Sequence, residues 1–240
     1  MDGAVDTGPG IRTPRVFVLS PASTAGERSR QLAAPRASFE LAQRFQSPEG
    51  VPIAEAFRFM SALYFRGKIA YAERFASPPA GALDDGILVI APGYGLVHPG
   101  WRLTRERMAR LRETAVDLRV PGYTGPLAET ARDLERRLSQ DTRVVLLGSI
   151  ATGKYLDVLA PVLGDRLLFP TVFAGTGDMR RGSLMLQAVR EDQELAYEPV
   201  SSIRASASVK LAVKGVAAPR LPGRAPGRRR QEPKAPLGSK

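Results

Sequence analysis

The chain has 240 residues, a formal net charge of +11 and no cysteine. That length supports one domain with a substantial core, while the missing thiols exclude disulfides, thiolate metal sites, iron-sulfur clusters and a cysteine nucleophile. A single histidine, His98, excludes a multi-histidine metal centre.

No apolar run approaches the roughly 18 residues that a membrane span needs, so no membrane partner is predicted. The opening residues, MDGAVDTGPGIRTP, lack the basic-then-apolar plan of a signal peptide. A cytoplasmic location is the expectation. Charge is unevenly spread: residues 205–240 hold nine Lys or Arg against one Glu, so they carry +8 of the +11. That segment is rich in Pro, Gly, Ala and Arg and has no aromatic residue, which predicts a disordered basic tail. Such a tail either attracts phosphate backbones without reading sequence or merely aids solubility. The predicted organisation is a loose leader over 1–14, an α/β domain over 15–204 and the tail over 205–240.

Arg15 to Leu19 (RVFVL) reads as the first strand and empties into Ser20-Pro21-Ala22-Ser23-Thr24-Ala25-Gly26. Pro21 restricts Ser20 to an extended conformation, so this hydroxyl-rich loop leaves the strand edge in a defined direction. In open α/β sheets that edge is where ligands sit, although serine there is equally ordinary capping chemistry. A short helix over Ser38–Phe45 is predicted, capped by Ser38 and ended by Ser47-Pro48-Glu49-Gly50. Pro52 opens a longer helix that places Ile53, Phe57, Met60 and Tyr64 on one face. Arg66-Gly67-Lys68 then reads as a turn between helices, its two cations being either phosphate contacts or solvated charges. Helical spacing resumes from Lys68 through Ile69, Ala72 and Phe75.

Gly86 to Ala91 (GILVIA) is the second core strand and runs into Pro92-Gly93-Tyr94-Gly95-Leu96-Val97-His98-Pro99-Gly100. Glycines such as Gly95 let the backbone approach a partner closely, and Tyr94 either stacks on a base or covers the edge of the core. Ser20, His98 and an aspartate form a conceivable catalytic triad whose geometry sequence does not display. Thr104 to Arg112 reads as a basic helix, and Ala115 to Val120 as a strand or edge segment ended by Pro121-Gly122. Leu127, Ala131, Leu134 and Leu138 mark an amphipathic helix with Asp133 pairing toward Arg137.

Arg143 to Leu147 (RVVLL) is a buried strand, Leu156, Leu159 and Leu163 sit at helical spacing, and a glycine-rich turn joins the two. Gly148 to Lys154 spells a near P-loop, Gly-x-x-x-x-Gly-Lys. Tyr155 stands where the Mg²⁺-binding Ser or Thr belongs, and no later strand ends in a metal-binding aspartate, since Arg166 to Phe169 runs into Pro170. Gly148, Ser149, Lys154 and Tyr155 therefore form either an anion-contacting turn or a plain strand-turn-helix packing unit. Leu167 to Phe169 is a further strand, the loop Pro170–Gly182 carries Asp178 and Arg181, and Leu184 to Val200 alternates as a β-hairpin. No motif requires a metal or a cofactor.

In order, these landmarks resemble the YaaA peroxide-stress family. Val18-Leu19-Ser20-Pro21-Ala22-Ser23-Thr24 is similar to its opening strand and Ser-Pro-Ala-Lys-Thr loop, with Ser23 in place of the lysine. Leu63 to Tyr71 resembles its Tyr-x-Gly-x-x-Tyr segment, and Val89 to Pro99 its Leu-Ser-x-x-Tyr-Gly-Leu-Leu-x-Pro run. Val144 to Tyr155 takes the place of its strand leading into a Tyr-bearing helix, and Arg181-Gly182 falls where that family has Ala-Arg-Gly. The order holds across roughly Val16 to Arg190; beyond Arg181-Gly182 the family is helical whereas this chain alternates. The resemblance implies a compact α/β protein with a positive cleft, DNA binding and a role in limiting damage by hydrogen peroxide.

The expected fold is a mixed central sheet flanked by helices, with the loops after Leu19, Ala91 and Leu147 lining one groove. Three functions fit: a non-catalytic DNA-binding protein contacting phosphates through Arg66, Lys68, Lys154 and Arg181; an enzyme acting on a nucleotide or nucleobase, with Tyr94 stacking and a serine or Asp178 activating water; and an interaction scaffold.

Overall fold

The computed structural model describes residues 13–61, 63–81 and 83–202; the leader to residue 12 and the tail from residue 205 lie outside them. The elements run β1 (Arg15–Leu19), α1 (Glu27–Ala33), α2 (Glu40–Gln46), β2 (Val51–Pro52), α3 (Ile53–Ser61) and α4 (Leu63–Phe75). They continue with β3 (Ile87–Ala91), β4 (Gly95–Val97), β5 (Arg102–Leu103), α5 (Arg105–Glu113) and α6 (Pro121–Arg137). The last block is β6 (Arg143–Leu147), α7 (Leu156–Leu163), β7 (Leu167–Pro170), α8 (Asp178–Glu191) and β8 (Tyr197–Pro199).

The main sheet has the order β4-β3-β1-β6-β7-β8. Its inner strands β3, β1, β6 and β7 are parallel, with Phe17 opposite Ile87 on one side and Val145 on the other, while β4 and β8 close the edges antiparallel. A second, two-stranded sheet pairs β2 with β5. Strands covered on both faces need continuous apolar runs, and Val16–Leu19 and Val144–Leu147 are fully buried as that requires. The Phe17 ring alone, set edge-on against Tyr71 at 5.7 Å, contributes about 2–3 kcal/mol by leaving water.

From β1 the chain crosses to β3 on one side, then returns past β1 to β6 on the other. Right-handed crossovers in opposite directions put their helices on opposite faces. Accordingly α4 packs on β1 and α8, whereas α6 packs on α7 and β4. The reversal at β1 and β6 is the point where open α/β sheets bind ligands.

Several sequence expectations are corrected. Leu184 to Val200 is not a hairpin: α8 continues through Glu191, because Arg181, Gly182, Met185 and Ala188 recur at helical spacing and bury one face, and only Tyr197–Pro199 forms a strand. The segment Ala115–Val120 forms turns instead of a strand, and Pro121 stands at the first position of α6. Arg66-Gly67-Lys68 lies inside α4. Gly67 does not break that helix because its missing Cβ is what admits α8: a Cβ there would lie 2.7 Å from the Gly182 carbonyl oxygen. Helix α2 begins at Glu40 after Phe39, with no side-chain cap from Ser38. Asp133 pairs with Arg136, the residue before Arg137.

A polar chain ties β8 to α4 and β1. The Leu195 amide donates to the Tyr71 hydroxyl (2.8 Å), Tyr71 to the Tyr197 hydroxyl (2.5 Å) and Tyr197 to Glu194 (2.9 Å), while Glu194 bridges to Arg15 at 2.6 Å. Burial pushes the Tyr71 hydroxyl up to about 12, so these phenols stay neutral donors.

Candidate functional site

At the carboxyl ends of the parallel strands lies a pocket of about 440 Å³. That is the size of a nucleotide-scale site. Its walls come from the Ser20–Ala25 loop after β1, Pro92 after β3, Ser149, Lys154 and Tyr155 after β6, and Asp178 at the start of α8. Tyr64 from α4 and Arg112 at the end of α5 complete it. The three strand-end loops do share one groove.

The chemistry concentrates where β1 ends. Lys68, on α4, is fully buried, and its Nζ donates to the Ser20 carbonyl oxygen at 2.5 Å and the Ser20 Oγ at 2.9 Å. No carboxylate pairs with it among the described residues. Its Nζ lies over the Tyr64 ring, 4.4 Å from the centroid, and 5.0 Å from that of Phe65. Burial brings its pKa down from 10.5 to about 7; Arg181 presses it the same way and Asp178 opposes.

Arg181 is buried as well, bonding the Phe173 carbonyl at 3.2 Å and 3.3 Å and Asp178 at 3.4 Å. Two buried cations thus have one carboxylate between them, and Asp178 is itself largely exposed. Lys154 and Arg112 add positive charge to the walls, where Asp178 is the sole acid. Arg112 is braced on the Ser29 hydroxyl and carbonyl, both at 2.9 Å. Tyr64 brings a buried hydroxyl that finds no hydrogen-bond partner among the described residues. Burial raises the pKa of both Tyr64 and Tyr155, so neither ionises readily.

The turn from Gly148 to Lys154 holds its shape through Gly153, whose positive φ of +66° precedes an amide from Asp157 to the Gly153 carbonyl at 2.8 Å. Gly148 lies against Ser20: a Cβ there would come within 3.0 Å of the serine Cβ and 3.2 Å of its Oγ. The carbonyl of Lys154 accepts from the Tyr123 hydroxyl at 2.8 Å, which leaves its ammonium over the Tyr155 ring, 5.2 Å from the centroid.

Of the residues singled out from sequence, Ser20, Ser149, Lys154 and Tyr155 line the pocket, Gly148 supports Ser20, and Lys68 and Arg181 lie behind the wall. Arg66 is exposed on α4 and does not line it. Tyr94 packs on Trp101 at 4.9 Å beneath the Arg110 guanidinium, outside the pocket. Gly95 serves packing: at φ +84° its Cβ would meet the Pro126 carbonyl oxygen at 2.3 Å. His98 pairs with Asp85 at 3.0 Å, also outside, so no Ser20-His98 triad forms. Tyr64 and Arg112 were missed as site residues because one reads as a core aromatic and the other as a solvated helix charge. Among the described residues no cluster of His, Cys, Asp or Glu is suited to hold a metal ion, and no helix is long and apolar enough to cross a membrane. No protein-family model, curated protein or solved structure matches the chain.

Proposed function

We propose that this chain is a nucleic-acid-binding protein, acting in the hydrogen peroxide response as its resemblance to the YaaA family implies, and that its strand-end pocket receives a phosphate-bearing nucleotide unit. One observation supports the reading above others: the pocket gathers Lys154 and Arg112 on its walls and Arg181 behind them, against Asp178 alone. Positive charge in excess inside a concave, partly water-excluded site is a receptor for an anion. The position at the sheet's point of reversal agrees with where α/β folds take nucleotides. The basic residues of 205–240 add sequence-independent attraction for the backbone.

The test titrates the full chain, the chain ending at Arg204 and the Lys154→Ala variant with a short fluorescent DNA duplex and with a nucleoside monophosphate across a salt series. The expected result is binding by the shortened chain, a linear fall of log affinity with log salt, and weakening of both ligands by Lys154→Ala. Duplex binding that vanishes with the tail, together with no nucleotide binding, overturns the reading. A second function, an enzyme acting on a nucleotide, is favoured by one specific feature, the bond between Lys68 and Ser20.

A further inference from the structure

We infer that Ser20 is a nucleophile and Lys68 the base that takes its proton, in a phosphoryl-transfer reaction on the phosphate-bearing ligand of the strand-end pocket. The substrate class rests on the reading of that pocket as a nucleotide site; the nucleophile and its base rest on the geometry of Ser20 and Lys68, to which the burial of the amine adds.

Three observations carry it. First, among the described residues both hydrogen bonds of Lys68 go to Ser20, one to the carbonyl and one, past it, to the hydroxyl. The amine is fully buried behind a serine that lines the pocket, so the substrate meets the hydroxyl and the hydroxyl meets the base. That is the arrangement of an activated serine, in which a neighbouring base compensates for the weak nucleophilicity of the free alcohol. Second, Gly148 stands where any side chain would press on the Ser20 Oγ, so the hydroxyl keeps room to move toward a ligand. Third, Tyr64 lines the same pocket with a buried hydroxyl, near Ser20 and Arg181, that has no hydrogen-bond partner within bonding distance among the described residues, a donor available to the phosphoryl oxygens.

The groups facing Lys68 are Tyr64 and Phe65 of its own helix, Ser20 at the end of β1, and Asp178 and Arg181 of α8. Burial and Arg181 together leave the amine able to accept a proton near neutrality. In the reaction the Ser20 Oγ forms a bond to phosphorus as the bond from phosphorus to the departing oxygen breaks. The Oγ proton passes to the Lys68 Nζ and stays there, while the departing oxygen takes its proton from a water in the open pocket. The hydroxide left by that water, the co-reactant, then bonds to phosphorus; the Oγ–phosphorus bond breaks and Oγ recovers its proton from Nζ.

The test treats the full chain with diisopropyl fluorophosphate and follows adduct formation by intact mass and peptide mapping. The expected result is one adduct on Ser20, with loss of fluoride, at a rate that rises with pH through neutrality and levels off once Lys68 is neutral. Ser20→Ala carries no adduct, and Lys68→Met slows labelling by about 100-fold or more, the scale of a lost general base. If Lys68→Met does not fold, the wild-type pH profile decides. No Ser20 adduct on folded protein, a rate flat across neutrality, or a folded Lys68→Met variant that labels like wild type overturns the inference. A nucleoside monophosphate that slows labelling supports the substrate class; labelling that neither nucleotide nor inorganic phosphate slows overturns that class and the nucleotide reading with it, leaving the serine and its base standing.

Discussion

Replacing Lys68 with methionine tests whether the buried amine titrates near neutrality. In the folded chain its pKa is about 7, against an ordinary 10.5 that the unfolded chain retains. Between those values the unfolded state binds more protons than the folded one, so stability rises with pH. The penalty for burying the ammonium is fully present below the folded value and gone above the unfolded one. At 1.36 kcal/mol per unit, the wild type gains about 2 kcal/mol relative to Lys68→Met between about pH 7 and about pH 9. For a domain of this size that corresponds to a shift in midpoint temperature of about 4–8 °C. Urea unfolding followed by the fluorescence of Trp101, the chain's one tryptophan, measures both proteins at each pH. Other titrating groups are common to the two and cancel in the difference, as does any constant cost of leaving the Ser20 oxygens without a donor. Parallel stability curves over that range would refute the reasoning: Lys68 would then remain an ammonium throughout, and the proposed base would be lost with it.

Gly67→Ala forces a Cβ to within 2.7 Å of the Gly182 carbonyl oxygen; the helices must part, and the melting midpoint falls by the equivalent of about 1–3 kcal/mol. An unchanged midpoint by circular dichroism contradicts the close crossing of α4 and α8. Tyr197→Phe removes the hydroxyl that donates to Glu194 and accepts from Tyr71, costing about 1–2 kcal/mol in urea unfolding with no effect on ligand affinity, since Tyr197 does not line the strand-end pocket. Lys154→Ala lowers nucleotide affinity about tenfold by calorimetry yet leaves stability unchanged, because its ammonium meets only the edge of the pocket and the Tyr155 ring; a loss of stability with unchanged affinity reverses that assignment.

The sequence alone determined the four parallel strands β1, β3, β6 and β7 and the loops that follow them. Runs such as Val16–Leu19 and Val144–Leu147 are continuous and apolar because parallel strands are covered on both faces, and that demand is written locally. The hydroxyl of Ser20 and the turn from Gly148 to Lys154 could be assigned to a ligand-facing edge for the same reason. Helix α8 was legible in principle, since Arg181, Gly182, Met185 and Ala188 keep helical spacing, but an arginine and a glycine on the buried face disguised the period as alternation. Only the tertiary structure decided what Lys68 does. Read along the chain it is a surface cation beside a glycine; in the fold that glycine admits α8 and seals the amine against a serine 48 positions earlier. Burial of a charge depends on what arrives from elsewhere in the chain, and neither Arg181 nor the empty-handed hydroxyl of Tyr64 carries a local sign of it.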